Sequence, residues 1–340
     1  MVTACVFVPS PWKSSNVLSS SLNSPSWPVL EVTRPGLLTT IQDLGRTGYL
    51  QYGVSPCGAM DPYALRLANR LVGNPESAAA LEITIQGPEF KILRDCLISI
   101  TGGDLSASIG SKLLPAWECL RLERGQVLCF GKRNRGARAY LSIAGGFKAE
   151  QVLGSESTDL QAKMGGHGGR SLRKGDLLFG NRFSMENQVF VKRMLLPEAL
   201  SEYRNPFVLR VMPGPQTHCL LPGAMEEFLR AEYVVTPNSN RMGYRLKGPR
   251  IEASPSEIIS DPIPLGALQV LPNGQLVLLM ADHQTVGGYP KIAVLISADV
   301  PRAAQLCVGH RVRFEAVSLE QARQLLRTQE EKISRCVVEA

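Results

Sequence analysis

Residues 275–297 of this 340-residue chain read QLVLLMADHQTVGGYPKIAVLIS. Two short, mostly apolar runs at 276–281 and 292–297 flank a polar segment that contains adjacent glycines. Runs of this length, rich in Val, Ile and Leu and bounded by turn residues, are typical of buried β-strands. The polar segment 282–291 therefore follows the end of a strand, where glycines let a ligand approach the backbone closely.

The strand pattern continues through most of the chain, and it predicts a mainly β protein with a few short helices. Further strand-like runs lie at 97–101, 139–144, 207–212 and 269–271. A cationic cluster around Asn134-Arg135-Gly136 predicts an exposed hairpin tip between strands 127–130 and 139–143. No aromatic platform interleaves with that cluster, so it does not favour nucleic-acid binding.

Two helices are signalled by their caps. Asp61 in the N-cap position, Pro62 in the first turn and Gly73 just past the end predict a helix between them. Ser318 followed by Gln321 is a capping box, and it predicts a second helix that closes the chain.

A short sequence motif, here called the repeated phrase, occurs three times: Leu-x-x-Gly followed by a strand that ends in Phe. Its copies begin at Leu122, Leu172 and Leu306, and each predicts a strand entered through a glycine turn. The last two copies end near residues 180 and 314, which suggests two barrel-like units that end in the same way. Such turns are common in all-β proteins, so the phrase by itself leaves the number of units open.

We predict four segments along the chain. They are a disordered extension at 1–28, a first barrel domain at 29–190, a second barrel domain at 200–316, and a helix with a tail at 317–340. The stretch 181–205 is polar and lacks a strand pattern, as expected of a boundary. Residues 1–28 hold eight serines and one lysine but no arginine or acid. A transit peptide would share the many serines and the lack of acidic residues, but it should carry arginines. We therefore expect a disordered extension, with an organellar transit peptide as the alternative.

Composition favours a soluble globular protein. The net charge is +7, with 44% hydrophobic and 20% charged residues, and no stretch approaches the roughly 18 apolar residues of a membrane-spanning helix. The eight cysteines contain no C-x-x-C pair, and the four histidines show no zinc spacing, so no metal site is predicted. Free, mostly buried thiols in a reducing compartment, the cytoplasm, fit this pattern.

The chain lacks the common catalytic signatures. It has no G-x-x-x-x-G-K-[ST] phosphate loop, no G-x-G-x-x-G, no G-x-S-x-G elbow and no H-E-x-x-H. A Met-Lys-Met biotin acceptor is also missing, so we expect no biotin to be attached to this chain.

Candidate site residues therefore come from polar segments at strand ends. Arg241 and Arg245 offer two guanidiniums suited to bidentate capture of a carboxylate or phosphate, although ordinary surface arginines are the alternative. Asp43 and Arg46 form a similar pair, and residues 154–159 could bind anions or simply form a Ser/Asp-rich turn. The other candidates in 240–245 and 282–291 are Asn240, Tyr244, Asp282, Gln284, Thr285, Gly287, Gly288, Tyr289 and Lys291. A polar turn is the alternative for 282–291, and its lone histidine, His283, fits an ordinary turn residue.

Eight segments in one order carry a resemblance to a known family. They lie at 36–46, 58–61, 68–74, 81–82, 140–146, 154–159, 240–246 and 282–290. Together they resemble the biotin-dependent carboxyltransferase-like family. That family contains the C subunit of 5-oxoprolinase, the Kip-type antagonist proteins, allophanate hydrolase subunit 2 and the carboxyltransferase domain of urea carboxylase. The match runs from about residue 29 to residue 322.

The resemblance implies two cyclophilin-like β-barrel domains, in agreement with the strand pattern. It also implies the C subunit of an ATP-dependent 5-oxoprolinase, a hydrolase in which ATP is the co-substrate and 5-oxo-L-proline is opened to L-glutamate. Its partners would be a B subunit and a further oxoprolinase component. Two alternatives stay open: a regulatory protein that antagonises a kinase inhibitor, and a carboxyltransferase component that acts on urea-like substrates.

The chemistry of lactam opening suggests roles for the candidate residues. ATP could break the amide resonance by phosphorylating the lactam oxygen before water attacks, which requires cations and a carboxylate base. We expect Arg241 and Arg245 to bind anions and Asp282 to act as the general base. Asp43, the second candidate catalytic carboxylate, would lie with Arg46 on the facing domain. Lys291 would contact phosphate.

Overall fold

A computed structural model describes residues 26–181, 193–196, 207–335 and 337–339. The predicted extension at 1–28 lies almost entirely outside the described residues, and so does most of the predicted boundary at 181–205. The domain limits therefore stay a prediction. The described cysteines are free, and most of them are buried, as expected from the sequence.

The first unit of the fold consists of two sheets with one helix packed against them. A seven-stranded sheet has the order β11-β12-β1-β4-β9-β6-β7, and a five-stranded sheet has the order β2-β3-β10-β5-β8. Their elements are β1 (Trp27–Arg34), β2 (Leu38–Gln42), α1 (Pro62–Leu71), β3 (Ala80–Thr84), β4 (Glu89–Ile92), β5 (Cys96–Asp104), β6 (Ala107–Ile109), β7 (Lys112–Leu113), β8 (Cys119–Leu122), β9 (Val127–Phe130), β10 (Arg135–Ile143), β11 (Phe147–Lys148) and β12 (Leu177–Gly180). Side chains such as Leu30, Phe90 and Leu141 from both sheets form one buried core.

The predicted hairpin between residues 127–130 and 139–143 is wrong. β9 pairs with β4 and β6, whereas β10 pairs with β3 and β5 in the other sheet. The glycine-containing segment between them carries the chain from one sheet to the other. Local turn chemistry indicates a change of direction, but the choice of partner strand depends on the packing of the whole core.

The second unit is built around a closed barrel with the strand order β14-β21-β18-β19-β16-β15-β22. The remaining elements are β13 (Arg193–Leu195), β14 (Phe207–Pro213), α2 (Ala224–Arg230), β15 (Tyr233–Val235), β16 (Gly243–Lys247), β17 (Asp261–Pro262), β18 (Ala267–Val270), β19 (Leu276–Leu279), β20 (Val286–Gly287), β21 (Lys291–Leu295), α3 (Val300–Ala304), β22 (Arg311–Ala316), α4 (Leu319–Arg335) and β23 (Val337–Glu339). The apolar runs at 276–281 and 292–297 contain β19 and most of β21. The prediction of a mainly β protein is confirmed.

The glycine turns of the repeated phrase are confirmed. Gly125, Gly175 and Gly309 have φ angles of +90°, +89° and +84°, and each lies just before a strand, namely β9, β12 and β22. An added Cβ would meet no atom within 4 Å at any of them, so the backbone angle explains the glycine rather than a lack of space.

Helix α1 begins as predicted and positions the contact between the two units. The Asp61 side chain accepts a hydrogen bond from the Ala64 backbone N–H at 2.9 Å, and Gly73 follows the helix with φ of +77°. Met60, just before the helix, is fully buried in the core of the second unit's barrel. The start of α1 therefore lies at the boundary between the two cores.

Helix α4 confirms the predicted capping box, because Ser318 and Gln321 exchange hydrogen bonds between side chain and backbone at 2.8 and 3.2 Å. The helix returns to the first unit, where Ile333 packs with Leu67 and Leu71 of α1. Beyond it, β23 pairs with β13. None of the helices in the described part of the chain is long and apolar enough to cross a membrane.

Candidate functional site

A buried ion-pair network lies where the two units meet. Arg241 donates to both oxygens of Asp282 at 2.8 Å, and its Nη2 also donates to the Gly58 carbonyl at 2.7 Å. The same guanidinium donates through Nη1 to Glu82 Oε1. Arg241 lies just before β16 and Asp282 shortly after the neighbouring strand β19, so the barrel register brings them together. Arg241 thus joins a carboxylate of its own unit to one of the first unit.

Glu82 is the first unit's centre of this network. It lies in the middle of β3, where every residue is buried. Its Oε2 accepts hydrogen bonds from the Tyr140 hydroxyl at 2.6 Å and from the Met60 N–H at 2.8 Å. Burial, followed by the negative charges of Glu82 and Asp61, holds the pKa of Tyr140 well above its usual value. Tyr140 is therefore a neutral phenol that donates to the carboxylate.

A second set of contacts crosses the same boundary. Arg138 on β10 donates to the Tyr244 hydroxyl at 2.8 Å and to the Ala304 carbonyl. The Gln305 side-chain oxygen accepts from the Ala137 and Arg138 backbone N–H groups at 2.8 and 3.0 Å. The Nε2 of Gln305 donates to Asp61 at 2.8 Å. These contacts fix the end of α3 against the first unit's five-stranded sheet.

The network limits what Arg241 can do in this arrangement. Its side chain is 4% exposed, and its donors are engaged by protein acceptors, so the guanidinium is not presented to an incoming anion. Asp282 is slightly more open, at 9% exposure, and each of its oxygens keeps acceptor capacity beyond the Arg241 bond. Asp282 is therefore more open to solvent than Arg241 or Glu82.

Two neutral groups flank Asp282. Burial, then the charges of Asp282 and Asp159, raises the pKa of the Cys57 thiol far above its usual value, so Cys57 is not a thiolate nucleophile. His283 Nδ1 lies 2.6 Å from the Gln284 carbonyl oxygen, which assigns the proton to Nδ1 and leaves Nε2 as an acceptor. Burial lowers the pKa of His283, which keeps the imidazole neutral near pH 7.

Asp43 and Arg46 serve the loop 152–157. Asp43 accepts hydrogen bonds from the hydroxyls of Ser155 and Ser157 and from the Glu156 N–H. Arg46 is 1% exposed and donates to the Val152 carbonyl at 3.2 Å and to the Ser157 carbonyl. The hydroxyls of Ser155 and Ser157 therefore donate to Asp43 and not to a bound anion. This arrangement matches the Ser/Asp-rich turn that was the alternative to an anion site at 154–159.

A short segment connects Asp43 to the buried network. The Asp43 carbonyl accepts from the Ala59 N–H at 2.9 Å, and the adjacent Gly58 carbonyl accepts from Arg241. The Ser55 hydroxyl reaches the Ala281 carbonyl at 3.4 Å, next to Asp282. The first unit's loop 43–59 thus faces the 282–291 loop, as expected, although Asp43 itself is used structurally.

Lys291 belongs to a separate ion pair. Its side chain is 1% exposed, and Nζ lies 2.6 Å from Asp261, which also accepts from Gln216 at 3.0 Å. The hydrogen bond from Lys291 lowers the pKa of Asp261. No contact links this pair to Arg241 or Asp282 among the described residues.

The remaining candidates differ in exposure. Arg245, Asn240 and Gln284 are exposed, and Arg245 lies on the opposite face of the strand from the buried Tyr244, whose ring belongs to the barrel core. In the 282–291 loop, Thr285 is buried and Tyr289 is half-buried. The other two candidates in this loop, Gly287 and Gly288, leave little room for a side chain, with neighbouring atoms 2.8–3.0 Å from an added Cβ.

The sequence thus singled out Arg241 and Asp282, which the structure brings into contact, but it did not single out their partner Glu82. A signal was present, because a charged residue in the apolar run Ala80–Thr84 can be buried only with partners. Arg138, Tyr140 and Gln305 had no comparable signal. No three His, Cys, Asp or Glu side chains come together to hold a metal ion in the described part of the chain.

Comparison with known proteins gives the relatives of this chain. The model of the carboxyltransferase domain, subdomains A and B, matches residues 52–316. The protein named as the C subunit of 5-oxoprolinase in Haemophilus influenzae is 38% identical over 293 residues, which covers 86% of this chain and 92% of that protein. The protein of the same name from Escherichia coli is 39% identical over 298 residues and is covered to 93%.

Longer proteins match over the same region. The crystal structure of the Kluyveromyces lactis urea amidolyase superposes with a TM-score of 0.85 at 34% identity, covering 93% of this chain but 20% of that chain. The urea amidolyase of Lachancea kluyveri is 33% identical and is covered to 19% of its length. This chain therefore corresponds to about a fifth of the urea amidolyases. With a family model that spans most of its length and relatives that match almost end to end, the chain belongs to the carboxyltransferase domain family.

Proposed function

We propose that this chain is the C subunit of an ATP-dependent 5-oxoprolinase that opens 5-oxo-L-proline to L-glutamate. The supporting observation is its near full-length similarity to two proteins that carry this name, of which it covers 92% and 93%. In this proposal it acts in the cytoplasm with a B subunit and a further oxoprolinase component, and ATP is the co-substrate of the complex.

The proposed chemistry uses the boundary between the two units. Opening the lactam requires the loss of amide resonance, which phosphorylation of the lactam oxygen by ATP would provide. The attacking water must then lose a proton, and Asp282 would accept it as the general base. The bidentate contact with Arg241 holds the Asp282 carboxylate in one orientation, and the exposed Arg245 remains free to meet an anionic group of the substrate.

Reconstitution tests the proposed function. The chain would be purified with its cognate B subunit and the other oxoprolinase component, and glutamate and phosphate release would be followed with 5-oxoproline and ATP. Each protein would be left out in turn. We expect coupled release that disappears without this chain. Release that continues unchanged in its absence would contradict the proposal.

The role of Asp282 is tested in the same assay. Asp282→Asn keeps the size and the hydrogen-bonding oxygen but cannot take the proton, so we expect turnover to fall at least about 100-fold. Asp104→Asn, at an exposed position at the end of β5, is the matched control and should leave turnover unchanged. Near-normal turnover of the Asp282 variant, with intact binding to the B subunit, would remove Asp282 from the mechanism.

A second candidate function is carboxyl transfer to a urea-like substrate. The superposition on the Kluyveromyces lactis urea amidolyase at a TM-score of 0.85 favours it. It would need biotin on a separate carrier protein. Bicarbonate-dependent carboxylation of urea with such a carrier, in the absence of oxoproline turnover, would favour this candidate. Binding to the B subunit without either activity would favour a regulatory role.

A further inference from the structure

A cavity of about 1130 Å³ opens on the first unit. It lies at the start of β1, at the turn between β4 and β5 and after the end of β8. The residues that matter for its chemistry are Trp27, Lys91, Arg94, Asp95, Arg121 and Arg124. None of them belongs to the proposed oxoproline site.

The lining carries more positive than negative charge. Lys91, Arg94 and Arg124 have no acidic side-chain partner among the described residues, and Asp95 is the acidic residue of the lining. Asp95 is already engaged, because it accepts from the Arg124 N–H at 2.9 Å and from Arg121 at 3.3 Å. The hydrogen bond from the Arg124 backbone, and after it the bond from the Arg121 side chain, lowers the pKa of Asp95. The cavity thus presents Arg94 and Arg124 without an ion-pair partner among the described residues, whereas Lys91 lies across the β1–β4 pairing from Glu31.

One of these cations is held in a defined position. The Arg94 guanidinium carbon lies 4.5 Å from the centre of the Trp27 ring, a cation–π contact. Trp27 is 42% exposed, although a tryptophan of a folded protein is usually well buried. An arginine held against an aromatic ring loses less side-chain freedom on binding a ligand, and its planar fork matches phosphate oxygens.

We propose that this cavity binds a small molecule that carries several phosphate groups. Its volume is slightly above the range of about 300–1,000 Å³ that is typical of small-molecule sites, so a nucleoside polyphosphate fits. Three to four cations around one carboxylate match a polyphosphate better than a single carboxylate. Pyrophosphate shares this chemistry with ATP and ADP.

Calorimetric titration of the full chain with ATP, ADP, pyrophosphate and inorganic phosphate tests the proposal. We expect saturable binding of ATP and of at least one other polyphosphate, which weakens as salt is raised. Binding of ATP and ADP without pyrophosphate would identify a nucleotide site, and binding of pyrophosphate as well would identify phosphate recognition. Either result supports the proposal, and the absence of saturable binding by all four at low salt would overturn it.

Matched triple variants separate a site from a general attraction of anions. Lys91→Ala with Arg94→Ala and Arg124→Ala should weaken binding at least about 10-fold, since each charged contact is worth roughly a factor of several. The control removes three exposed cations elsewhere, through Lys132→Ala, Arg135→Ala and Arg173→Ala. Equal weakening in both variants would overturn the proposal. Thermal unfolding checks that both fold, and the measurement requires neither partner nor turnover, so its outcome is independent of the proposed function.

Discussion

At the residue scale, Arg241 shows how a buried charge is tolerated. A guanidinium removed from water is stable only if acceptors replace the lost hydration, and here two carboxylates and a carbonyl do so. Removal of the cation would leave Glu82 and Asp282 buried without their shared partner. The network is therefore fragile toward single substitutions even if its net contribution to stability is small.

Arg241→Met should lower the free energy of unfolding by about 3–5 kcal/mol, as expected when one partner of a buried ion pair is removed. Arg245→Met is the control, because the exposed Arg245 lies four residues away and makes no ion pair among the described residues. That variant should change stability by less than about 0.5 kcal/mol. Urea denaturation followed by circular dichroism measures both, and equal losses would contradict the buried network.

His310 should make stability depend on pH. Its Nδ1 accepts a hydrogen bond from the Cys307 N–H at 3.2 Å, and burial, then the positive charge of Arg133, lowers its pKa. The unfolded chain, with a histidine pKa near 6.5, therefore takes up the proton first, so this contribution is full above about pH 6.5 and is lost as the pH falls.

Denaturation between about pH 7 and pH 5 measures this effect. The wild-type protein should lose more stability over that interval than His310→Gln, whose side chain cannot be protonated. His218→Gln is the control, because His218 is exposed at the surface of the same unit. If the free energy of unfolding changes equally with pH in His310→Gln and in the wild type, His310 does not bind fewer protons in the folded chain than in the unfolded chain.

At the element scale, the helices were the most predictable parts of the fold. Asp61, Pro62 and Gly73 determine α1 through contacts within a few residues, and the Ser318 capping box begins α4 in the same way. Strand positions were also predictable, but their partners were not. The separation of β9 from β10 depends on which sheet each strand can bury its apolar face against.

Packing rather than ion pairs should hold α4 in place. Arg66 contacts Glu330 at 2.6 and 2.7 Å, but that carboxylate is 48% exposed, so the pair contributes little. Ile333, by contrast, is 1% exposed against α1. Ile333→Ala should cost about 2–4 kcal/mol, whereas Leu326→Ala on the exposed face should cost far less.

Hydrogen exchange of the α4 amides is the direct measurement. Faster exchange confined to α4 and β23 is expected for the Ile333 variant, because their contact with the first unit is weakened. If Leu326→Ala loosens α4 as much as Ile333→Ala does, the helix is not held by its buried face.

At the scale of the whole molecule, the sequence indicated two β units but not how they are joined. Strand periodicity reports which face of a strand is buried, and the glycine turns report where strands begin. The boundary between the units depends on residues far apart in sequence, such as Glu82 with Arg241 and Arg138 with Tyr244. The sequence offers a signal for Glu82 and for Arg241 but does not say which residue each one contacts, so only the folded arrangement identifies the site.

Gln305 should couple the two units in unfolding. Its side chain accepts from two N–H groups of β10 and donates to Asp61, so Gln305→Ala leaves the N–H groups of Ala137 and Arg138 without an acceptor in a buried position. The expected cost is about 1–3 kcal/mol, and it falls on the boundary rather than on either core. In scanning calorimetry, the unfolding transition of this variant should therefore be broader than that of the wild type, or split in two.

Gln324→Ala, on the exposed face of α4, should leave a transition like that of the wild type. A Gln305→Ala transition that moves to lower temperature without broadening would mean that the two cores unfold together through other contacts, with the Arg241 network as the remaining link.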